Sequence, residues 1–364
     1  MARPNLTSGT IAPERVGAGS AGVRGVRLRN MTKKEAGSWK RRWLGLAAKG
    51  FVAVLILWLL IRDVDVEILM RTLAETSVPL LALGVLLNVS TVLIAGLRWE
   101  LLIRAAGLPL RWRDLTCIAF VGQFFATFLP GPIGDDLTRM VYVARIAGDK
   151  TPVALSSVVL DRIIGLSVIL MLALLVTPWH YEFLAANAQT AFFAGGLIAG
   201  GIVVVAALAL FFLFPRRWLH SLGALLMRLL PAGHWRLQLG RFVGAYVEHR
   251  RTIALVLAAA LSTQVVLCVL FWTAGAAVGI SLSAALWFGF VPVVLAANAL
   301  PVTVAGLGIR EYLVVLFLGV LGNVPQELAL AASLAAFAMM LTTNLLGGLV
   351  FLAYRSNVSP ATGK

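Results

Sequence analysis

Three charged residues follow a run of helix-breaking residues near the middle of the chain. The stretch FLPGPIGDDLTR, Phe128 to Arg139, places prolines and glycines directly before Asp135 and Asp136, and Arg139 follows one turn later. Almost everything around this stretch is apolar. Irregular backbone at membrane depth survives only where protein or water covers its polar groups. The stretch is therefore a candidate site at or within a membrane.

The charged residues of this first stretch can form ion pairs with each other or bind an anion. An aspartate after Gly134 can cap a helix, and Arg139 lies at i+4 and i+3 from the two carboxylates. One interpretation is a capped helix with a local ion pair at the membrane surface. The other is that Arg139 binds a lipid phosphate, Asp135 and Asp136 hold the arginine in place, and amides at the start of the half-helix, from Gly134 onward, complement the anion.

A second stretch, Leu300 to Glu311, has similar features near the C-terminal end of the chain. It predicts that Gly306, Gly308 and Arg310 contact the same kind of phosphate, because an arginine again lies in the first turn after a break. A lone G-x-G equally fits a tight helix–helix contact. Since neighbouring side chains on a helix diverge by about 100°, we expect Arg310 and Glu311 to serve different partners.

A third pair of charges, Asp161 and Arg162, lies inside the apolar run Pro152 to Val176. At ~1.5 Å per residue the pair is near the middle of a bilayer. Neither charge can stay unpaired in hydrocarbon. Two interpretations are open: a purely structural ion network, or one that opens and closes as two halves of the protein rock. The candidate partners are Arg139 or Arg310 for Asp161, and Asp135, Asp136 or Glu311 for Arg162.

The remaining polar residues of the apolar runs show no pattern of catalytic or metal ligands. The two cysteines and four histidines form neither a zinc spacing nor a redox pair, so we expect no metal and no cofactor. Five amide side chains are predicted to hydrogen-bond between helices rather than to bind ligands. They are Asn88, Gln123, Gln264, Asn298 and Asn344.

The composition indicates a polytopic helical membrane protein. Of the 364 residues, 60% are hydrophobic and 13% are charged, and the mean hydropathy is +0.91. Charges are confined to a few stretches between apolar runs close to the ~20 residues that cross a bilayer. We therefore predict an all-α bundle with about six to eight crossings, together with broken, re-entrant hairpins.

The basic balance of the chain points to a membrane rather than to nucleic acid. The formal net charge is +15, from 31 Lys and Arg against 16 Asp and Glu. These basic residues cluster in a tail and in particular loops, as the positive-inside rule describes, and such segments attract anionic lipid head groups. Because no known nucleic-acid-binding module is present, we expect membrane lipids and no nucleic acid as partners.

The distribution of charge also predicts the domains and the topology. Residues 1–42 are expected to be a disordered basic tail, and residues 355–364 a second short tail, both cytoplasmic. Residues 43–354 are expected to form a single transmembrane domain that begins with a span over Trp43 to Ile61. Residues 215–251 carry seven arginines against one glutamate and are predicted to be a cytoplasmic loop. Four further arginines, Arg98, Arg104, Arg111 and Arg113, are predicted to mark the inner surface of the membrane. The expected location is the inner (plasma) membrane.

Two broken segments interrupt the regular crossings. The first, Leu115 to Ile146, has basic flanks and is predicted to be a hairpin that enters from the cytoplasm. The second, Ala284 to Leu321, is either a hairpin that enters from outside or a pair of spans. Inverted repeats with broken helices are a recurring plan of transporters, with the substrate site at the repeat interface. Whether these two segments are such a repeat stays open.

Four motifs occur in a recognisable order: GLRWELLIRAAGLPL (Gly96 to Leu110), FLPGPIGDDLTR, VVLDRIIGL (Val158 to Leu166) and LPVTVAGLGIREYL (Leu300 to Leu313). This set resembles the flippase-like membrane family that includes the transmembrane domain of lysylphosphatidylglycerol synthases. The resemblance implies a helical bundle that moves a lipid between leaflets or assists synthesis of a modified lipid. It implies functional charges at Asp135, Asp136, Arg139, Asp161, Arg162, Arg310 and Glu311.

The sequence departs from that family in two ways. Asp135 stands where the family often has a second glycine, and an extra carboxylate there would alter the head-group preference. No soluble C-terminal domain is present, so aminoacyl transfer is not expected. We therefore expect a translocator for an anionic phospholipid or a polyprenyl-linked lipid. The alternatives are an intramembrane head-group transferase with a divalent metal on Asp135 and Asp136, and a non-catalytic subunit that recruits a lipid-modifying enzyme.

Overall fold

A computed structural model describes residues 58, 62, 64–108, 110–128, 133–180, 188–215, 246, 248–299 and 308–355. These residues form α-helices and contain no strand, which confirms the predicted all-α class. The helices are α1 (Val66–Ala74), α2 (Val78–Ala105), α3 (Trp112–Phe128), α4 (Ile133–Ala147), α5 (Thr151–Val176), α6 (Ala188–Leu213), α7 (Arg250–Ala277), α8 (Ala284–Asn298), α9 (Ile309–Gly322) and α10 (Gln326–Arg355).

Five of the described helices are long and apolar enough to cross a membrane. They are α2, α5, α6, α7 and α10, with lengths of 26 to 30 residues. This finding confirms a multi-pass membrane protein. The predicted first span over Trp43 to Ile61 lies outside the described residues apart from Trp58. So do the predicted tail 1–42, the predicted tail 355–364 apart from Arg355, and most of the predicted loop 215–251.

Four shorter helices occur in two pairs. Helices α3 and α4 have 17 and 15 residues, and α8 and α9 have 15 and 14. At ~1.5 Å per residue they extend roughly 21–26 Å, less than the ~30 Å of a hydrocarbon core. The members of each pair pack against each other. Both pairs therefore have the dimensions of hairpins, although the predicted breaks at 129–132 and 300–307 lie outside the described residues.

Glycines let the first hairpin close tightly. A Cβ on Gly134 of α4 would lie 2.9 Å from the backbone of Phe125 and Ala126 on α3. A Cβ on Gly122 of α3 would lie 2.0 Å from Oδ1 of Asp135. Small residues allow such close backbone approach between membrane helices. Gly134 therefore brings the charged first turn of α4 directly onto α3.

The first hairpin is also tied to α2. The backbone N–H of Trp112, at the start of α3, donates to Oε1 of Glu100 at 3.0 Å. This bond satisfies one of the donors that a helix start leaves without a partner. Trp99 of α2 is fully buried in an apolar cluster with Leu115 and Ile118 of α3. Together these contacts fix α3 and α4 against the long helix that carries Arg98.

The second half of the bundle has its own apolar core. Trp287 and Phe290 of α8, with Phe317 of α9, are fully buried there, and α10 contributes a row of small residues that includes Ala332. The rings of Phe290 and Phe317 stack with centroids 5.3 Å apart. Helix α7 packs against α2. This contact joins the cluster around Trp287 and Phe290 to the part of the bundle that contains Trp99, α3 and α4. A polar cavity lies between these parts.

Candidate functional site

A cavity of about 350 Å³ lies within the bundle and is lined by charged side chains. Residues from α2 to α5 and from α7 to α10 contribute to its wall. The three charged stretches of the sequence, far apart along the chain, therefore meet at one place. The charged lining residues are Arg98, Asp135, Asp136, Arg139, Asp161, Arg162 and Arg310.

Asp161 is the centre of the most buried part of this network. Its carboxylate accepts from Arg98 on both oxygens, with Nε–Oδ1 of 2.5 Å and Nη2–Oδ2 of 2.9 Å. Nη1 of Arg139 donates to the same Oδ2 at 3.1 Å. Only 4% of Asp161 is exposed. One carboxylate thus bridges two guanidinium groups through charge-assisted hydrogen bonds, which are stronger than neutral ones.

Arg139 is held by further contacts. Its Nε donates to Oδ1 of Asp135 at 2.8 Å, one helical turn away. Its guanidinium lies 5.4 Å from the ring centroid of Trp99, within cation–π range. The indole N–H of Trp99 in turn donates to Oγ of Ser157 at 3.0 Å. Of the two candidate partners of Asp161, Arg139 and Arg310, Arg139 is the one that pairs with it, and Arg139 is shared between two aspartates.

Arg162 and Asp136 form the loosest charged pair of the cavity. Their closest atoms, Nε and Oδ2, are 3.7 Å apart. The Arg162 side chain is 34% exposed, against 5% for Arg139 and 3% for Arg310. A long contact between partly hydrated groups is weak. Of these three arginines, Arg162 is therefore the one most accessible to an entering anion.

Arg310 and Glu311 pair with each other, so the prediction that they serve different partners is wrong. Nε of Arg310 donates to Oε1 of Glu311 at 3.0 Å, and Nη2 contacts the same oxygen. The 100° divergence applies to the start of the two side chains, and both are long enough to bend back toward each other. The Arg310 guanidinium also lies over the ring of Phe337, 4.9 Å from its centroid.

Of the three glycines predicted to bind phosphate, two have other structural roles and the third lies outside the described residues. The N–H of Gly308 donates to Oε2 of Glu311 at 2.6 Å, so Glu311 already caps the start of α9. Gly308 has φ of +92°, a conformation that favours glycine. Gly134 lies at the contact of α4 with α3. Gly306 is outside the described residues.

Arg98 is a site residue that the sequence reasoning missed. It was interpreted, together with Arg104, as a marker of the inner membrane surface. The structure instead buries it, with 9% exposed, against Asp161. The available signal was its place in the motif GLRWE, inside an apolar run and ahead of the exposed Arg104.

The amide side chains differ in how they are satisfied. Nδ2 of Asn344 on α10 donates to Oγ1 of Thr127 on α3 at 3.0 Å, which confirms an interhelical bond. The prediction is wrong for the oxygens of Gln264 and Asn298. Both are buried, and the structure gives neither Oε1 of Gln264 nor Oδ1 of Asn298 a hydrogen-bond partner. Both residues line the cavity.

The charged lining carries a small excess of positive charge. Four arginines face three aspartates, while Glu311 is outside the lining and supports Arg310 from behind. Such an arrangement favours a group with negative charge. Over the described part of the chain, no group of three or more His, Cys, Asp or Glu side chains is placed to hold a metal ion.

Residues 46–348 match the family described as the lysylphosphatidylglycerol synthase TM region. The chain belongs to this family. The match confirms the resemblance that the four motifs indicated, and it spans all the helices of the cavity. Membership in the lysylphosphatidylglycerol synthase TM family implies a function related to membrane lipids. No curated protein matches the chain at a significant level.

Proposed function

We propose that the protein moves an anionic phospholipid or a polyprenyl-linked lipid between the leaflets of the inner membrane. The observation that carries this proposal is the meeting of charges from three distant stretches at one cavity within an apolar bundle. A cavity of about 350 Å³ has the size of a small-ligand site. It suits the head group of a lipid, while the hydrophobic tails of that lipid would stay in the hydrocarbon of the membrane.

The arginines of the cavity bind the phosphate of that head group. Arg162 makes the first contact, because its pair with Asp136 is long and its side chain is partly exposed. Arg139 and Arg310 then supply further donors to the phosphate oxygens. Guanidinium groups suit this task because their planar donor fork matches phosphate geometry. Their stacking on Trp99 and Phe337 orients both groups without using donors.

The carboxylates neutralise the arginines while no lipid is bound. An unpaired charge inside a membrane is costly, so each arginine needs a partner throughout the transport cycle. Asp135 and Asp161 serve Arg139, and Glu311 serves Arg310. A phosphate that enters exchanges one anionic partner for another. This exchange couples lipid binding to rearrangement of the ion pairs.

The two paired hairpins fit an alternating-access mechanism. Transporters with broken helices bind their substrate where two repeats meet, and the repeats rock around that site. Here α3 and α4 supply one wall of the cavity, while α8 and α9 supply another. In this proposal the N-terminus and the C-terminus are both cytoplasmic. The transferase and accessory-subunit alternatives gain no support from the cavity, where Asp135 and Asp136 are engaged by different arginines.

Transport of an acyl-labelled fluorescent phosphatidylglycerol by the purified protein in liposomes tests this proposal. Dithionite quenching would report the label that reaches the outer leaflet. We expect Arg310→Gln to slow transport by about 10-fold or more, since hydrogen bonds to charged groups contribute ~1.5–3 kcal/mol. Arg310→Lys, which keeps the charge but loses the planar fork, should retain an intermediate rate.

The control is Arg71→Gln, at an exposed arginine that pairs with Glu75 outside the cavity and should not alter the rate. If wild-type protein moves neither this lipid nor a labelled polyprenyl phosphate faster than protein-free liposomes do, translocation is the wrong function. Equal rates for wild type and Arg310→Gln would instead remove Arg310 from the phosphate site.

A further inference from the structure

The cavity contains hydrogen-bond acceptors that the charged network does not use. Gln264 lies on α7 and is 6% exposed, and its Oε1 is buried without a hydrogen-bond partner in the structure. Asn298 is the last residue of α8, and its buried Oδ1 also lacks a partner. Buried polar atoms in proteins are nearly always satisfied, so such exceptions call for an explanation. Both residues line the cavity with the arginines.

Several hydroxyl and guanidinium donors of the cavity already have acceptors of their own. The hydroxyl of Thr91 donates to the carbonyl of Asn88 at 2.7 Å, and that of Thr263 donates to the carbonyl of Ala259 at 3.0 Å. The guanidinium groups of Arg98 and Arg139 donate to carboxylates. The structure pairs neither amide oxygen with any donor, so both are free to accept from a group that enters the cavity.

The C-terminal end of α8 also favours a hydrogen-bond donor at this side of the cavity. Asn298 closes α8, and the last carbonyl groups of a helix carry partial negative charge. Arg310, by contrast, lies in the first turn of α9 and provides positive charge. The same cavity thus offers cationic donors on some side chains and neutral acceptors on others. A group that carries a phosphate and also hydrogen-bond donors satisfies both.

We propose that Gln264 and Asn298 select the lipid by accepting hydrogen bonds from donors on its head group. This inference rests on the proposed translocation of a phosphate lipid and narrows its substrate class. The substrate is a phospholipid whose phosphate carries a hydroxyl-bearing or ammonium-bearing substituent. Hydroxyl and ammonium groups present the same chemistry to an amide oxygen, since each donates a hydrogen bond.

Two matched pairs of acyl-labelled lipids distinguish a hydroxyl donor from an ammonium donor in the liposome assay with full-length protein. Phosphatidylglycerol and phosphatidylmethanol carry the same charge, but only the first has head-group hydroxyls. Phosphatidylethanolamine and phosphatidylcholine are both zwitterionic, but only the first has N–H donors. We expect wild type to move the donor-bearing member of at least one pair at least ~10-fold faster, as a site built for a donor rejects the analogue that lacks it. The pair that shows the preference identifies the donor.

Substitutions of the two amides test their role in that preference. Gln264→Met keeps the length of the side chain but removes the acceptor, and it should reduce the ratio of rates to about 2-fold or less. Asn298→Leu should act in the same direction. Gln264→Glu retains acceptor oxygens and should retain the ratio. Asn344→Leu, at an amide that lines the cavity but bonds to Thr127, is the matched control for the ratio.

The possible failures are distinguishable. Equal rates within both pairs for wild type would overturn the inference and leave the proposed function intact. A preference that survives in both Gln264→Met and Asn298→Leu would also overturn it. If wild type moves none of the four lipids, the inference falls together with the phospholipid form of the proposed function, and only a polyprenyl-linked substrate remains for the latter. A thermal melt of each variant in detergent identifies any that fails to fold, and the other variant then decides.

Discussion

At the scale of single residues, Asp161 is unusual because one buried carboxylate compensates two arginines. It is almost fully buried and accepts hydrogen bonds from two arginines that come from different helices, α2 and α4. Desolvation of these charges is costly, and only their mutual attraction with good geometry compensates for it. The removal of one partner from such a group leaves the others without compensation. Asp161 should therefore matter for folding as well as for transport.

We predict that Asp161→Asn lowers the free energy of unfolding by about 3–5 kcal/mol, the range for loss of one partner of a buried ion pair. The amide keeps one acceptor oxygen but no charge, so Arg98 loses its charged partner and at least one hydrogen bond, and Asp135 is the only carboxylate still hydrogen-bonded to Arg139. The measurement is the unfolding midpoint of purified protein in detergent. In the double variant Arg98→Met with Asp161→Asn, the loss should be smaller than the sum of the single losses, since the two residues interact directly.

The exposed pair of Arg71 and Glu75 provides the comparison for this prediction. Their side chains are 80% and 66% exposed, and exposed pairs contribute little to stability. Arg71→Gln should therefore melt like wild type. Should Asp161→Asn also melt like wild type, the buried network would not hold the helices together.

The sequence showed which charged residues need an oppositely charged partner. It was less informative about which residue that partner is. A midplane carboxylate must be compensated, so Asp161 was expected to pair with Arg139 or Arg310, and it pairs with Arg139. Arg98 was assigned to the surface because the sequence does not reveal which of several arginines near a helix end turns inward. The pairing of Arg310 with Glu311 depends on rotamers, and helical periodicity carries no information about those.

At the scale of helices, the contact between α3 and α10 joins the first hairpin to the second half of the bundle. A Cβ on Gly347 of α10 would lie 2.1 Å from the carbonyl oxygen of Phe120 on α3. The Asn344–Thr127 hydrogen bond and the edge-to-face contact of Phe125 with Phe351 lie along the same interface. These helices approach so closely because glycine leaves room for the opposite backbone.

We predict that Gly347→Ala forces α3 away from α10 and costs about 1–3 kcal/mol, the range for overpacking. The obstacle is backbone rather than a flexible side chain, so local rotation of a rotamer does not relieve it. The displacement of α3 should also move α4 and loosen the contact of Arg139 with Asp161. Both a lower unfolding midpoint and slower lipid transport are expected.

Gly196→Ala is the matched control for this substitution. Gly196 lies on an exposed face of α6, and a Cβ there would meet nothing within 4 Å. Alanine has a higher helix propensity than glycine, so stability should be unchanged or slightly raised. Similar losses for Gly347→Ala and Gly196→Ala would show that the close contact of α3 with α10 is not required.

The long helices were predictable because charges and prolines bound their apolar runs. The apolar run from Pro152 to Val176 predicts a spanning helix, which is observed as Thr151–Val176. Which helices contact each other was not predictable. The spanning helices are apolar on all sides, so periodicity does not identify the face that packs inward. The meeting of α2 with α7, and with it the position of the cavity, follows only from the structure.

At the scale of the whole molecule, the distribution of polarity is the reverse of that in a soluble protein. Large apolar side chains are exposed along several helices, among them Phe192 and Val203 of α6 and Leu349 of α10. Buried charges instead gather inside, around Asp161. In the membrane the exposed apolar side chains would contact lipid, while the interior accommodates the polar groups. Ionisable residues of membrane proteins face the bundle interior for this reason.

Helix α6 offers the clearest test of this arrangement. Val203 lies near its middle and is 66% exposed. An arginine at the centre of a spanning helix costs about 2.5–3.5 kcal/mol for insertion. We therefore predict that Val203→Arg reduces the fraction of protein that resists carbonate extraction from membranes, whereas Val203→Leu does not. Arg98 of α2 is tolerated inside the bundle because Asp161 compensates it. Helix α6 itself contains no Asp or Glu that would do the same for an arginine at position 203. Full insertion of Val203→Arg, with an unfolding midpoint equal to that of Val203→Leu, would mean that this face of α6 does not contact lipid.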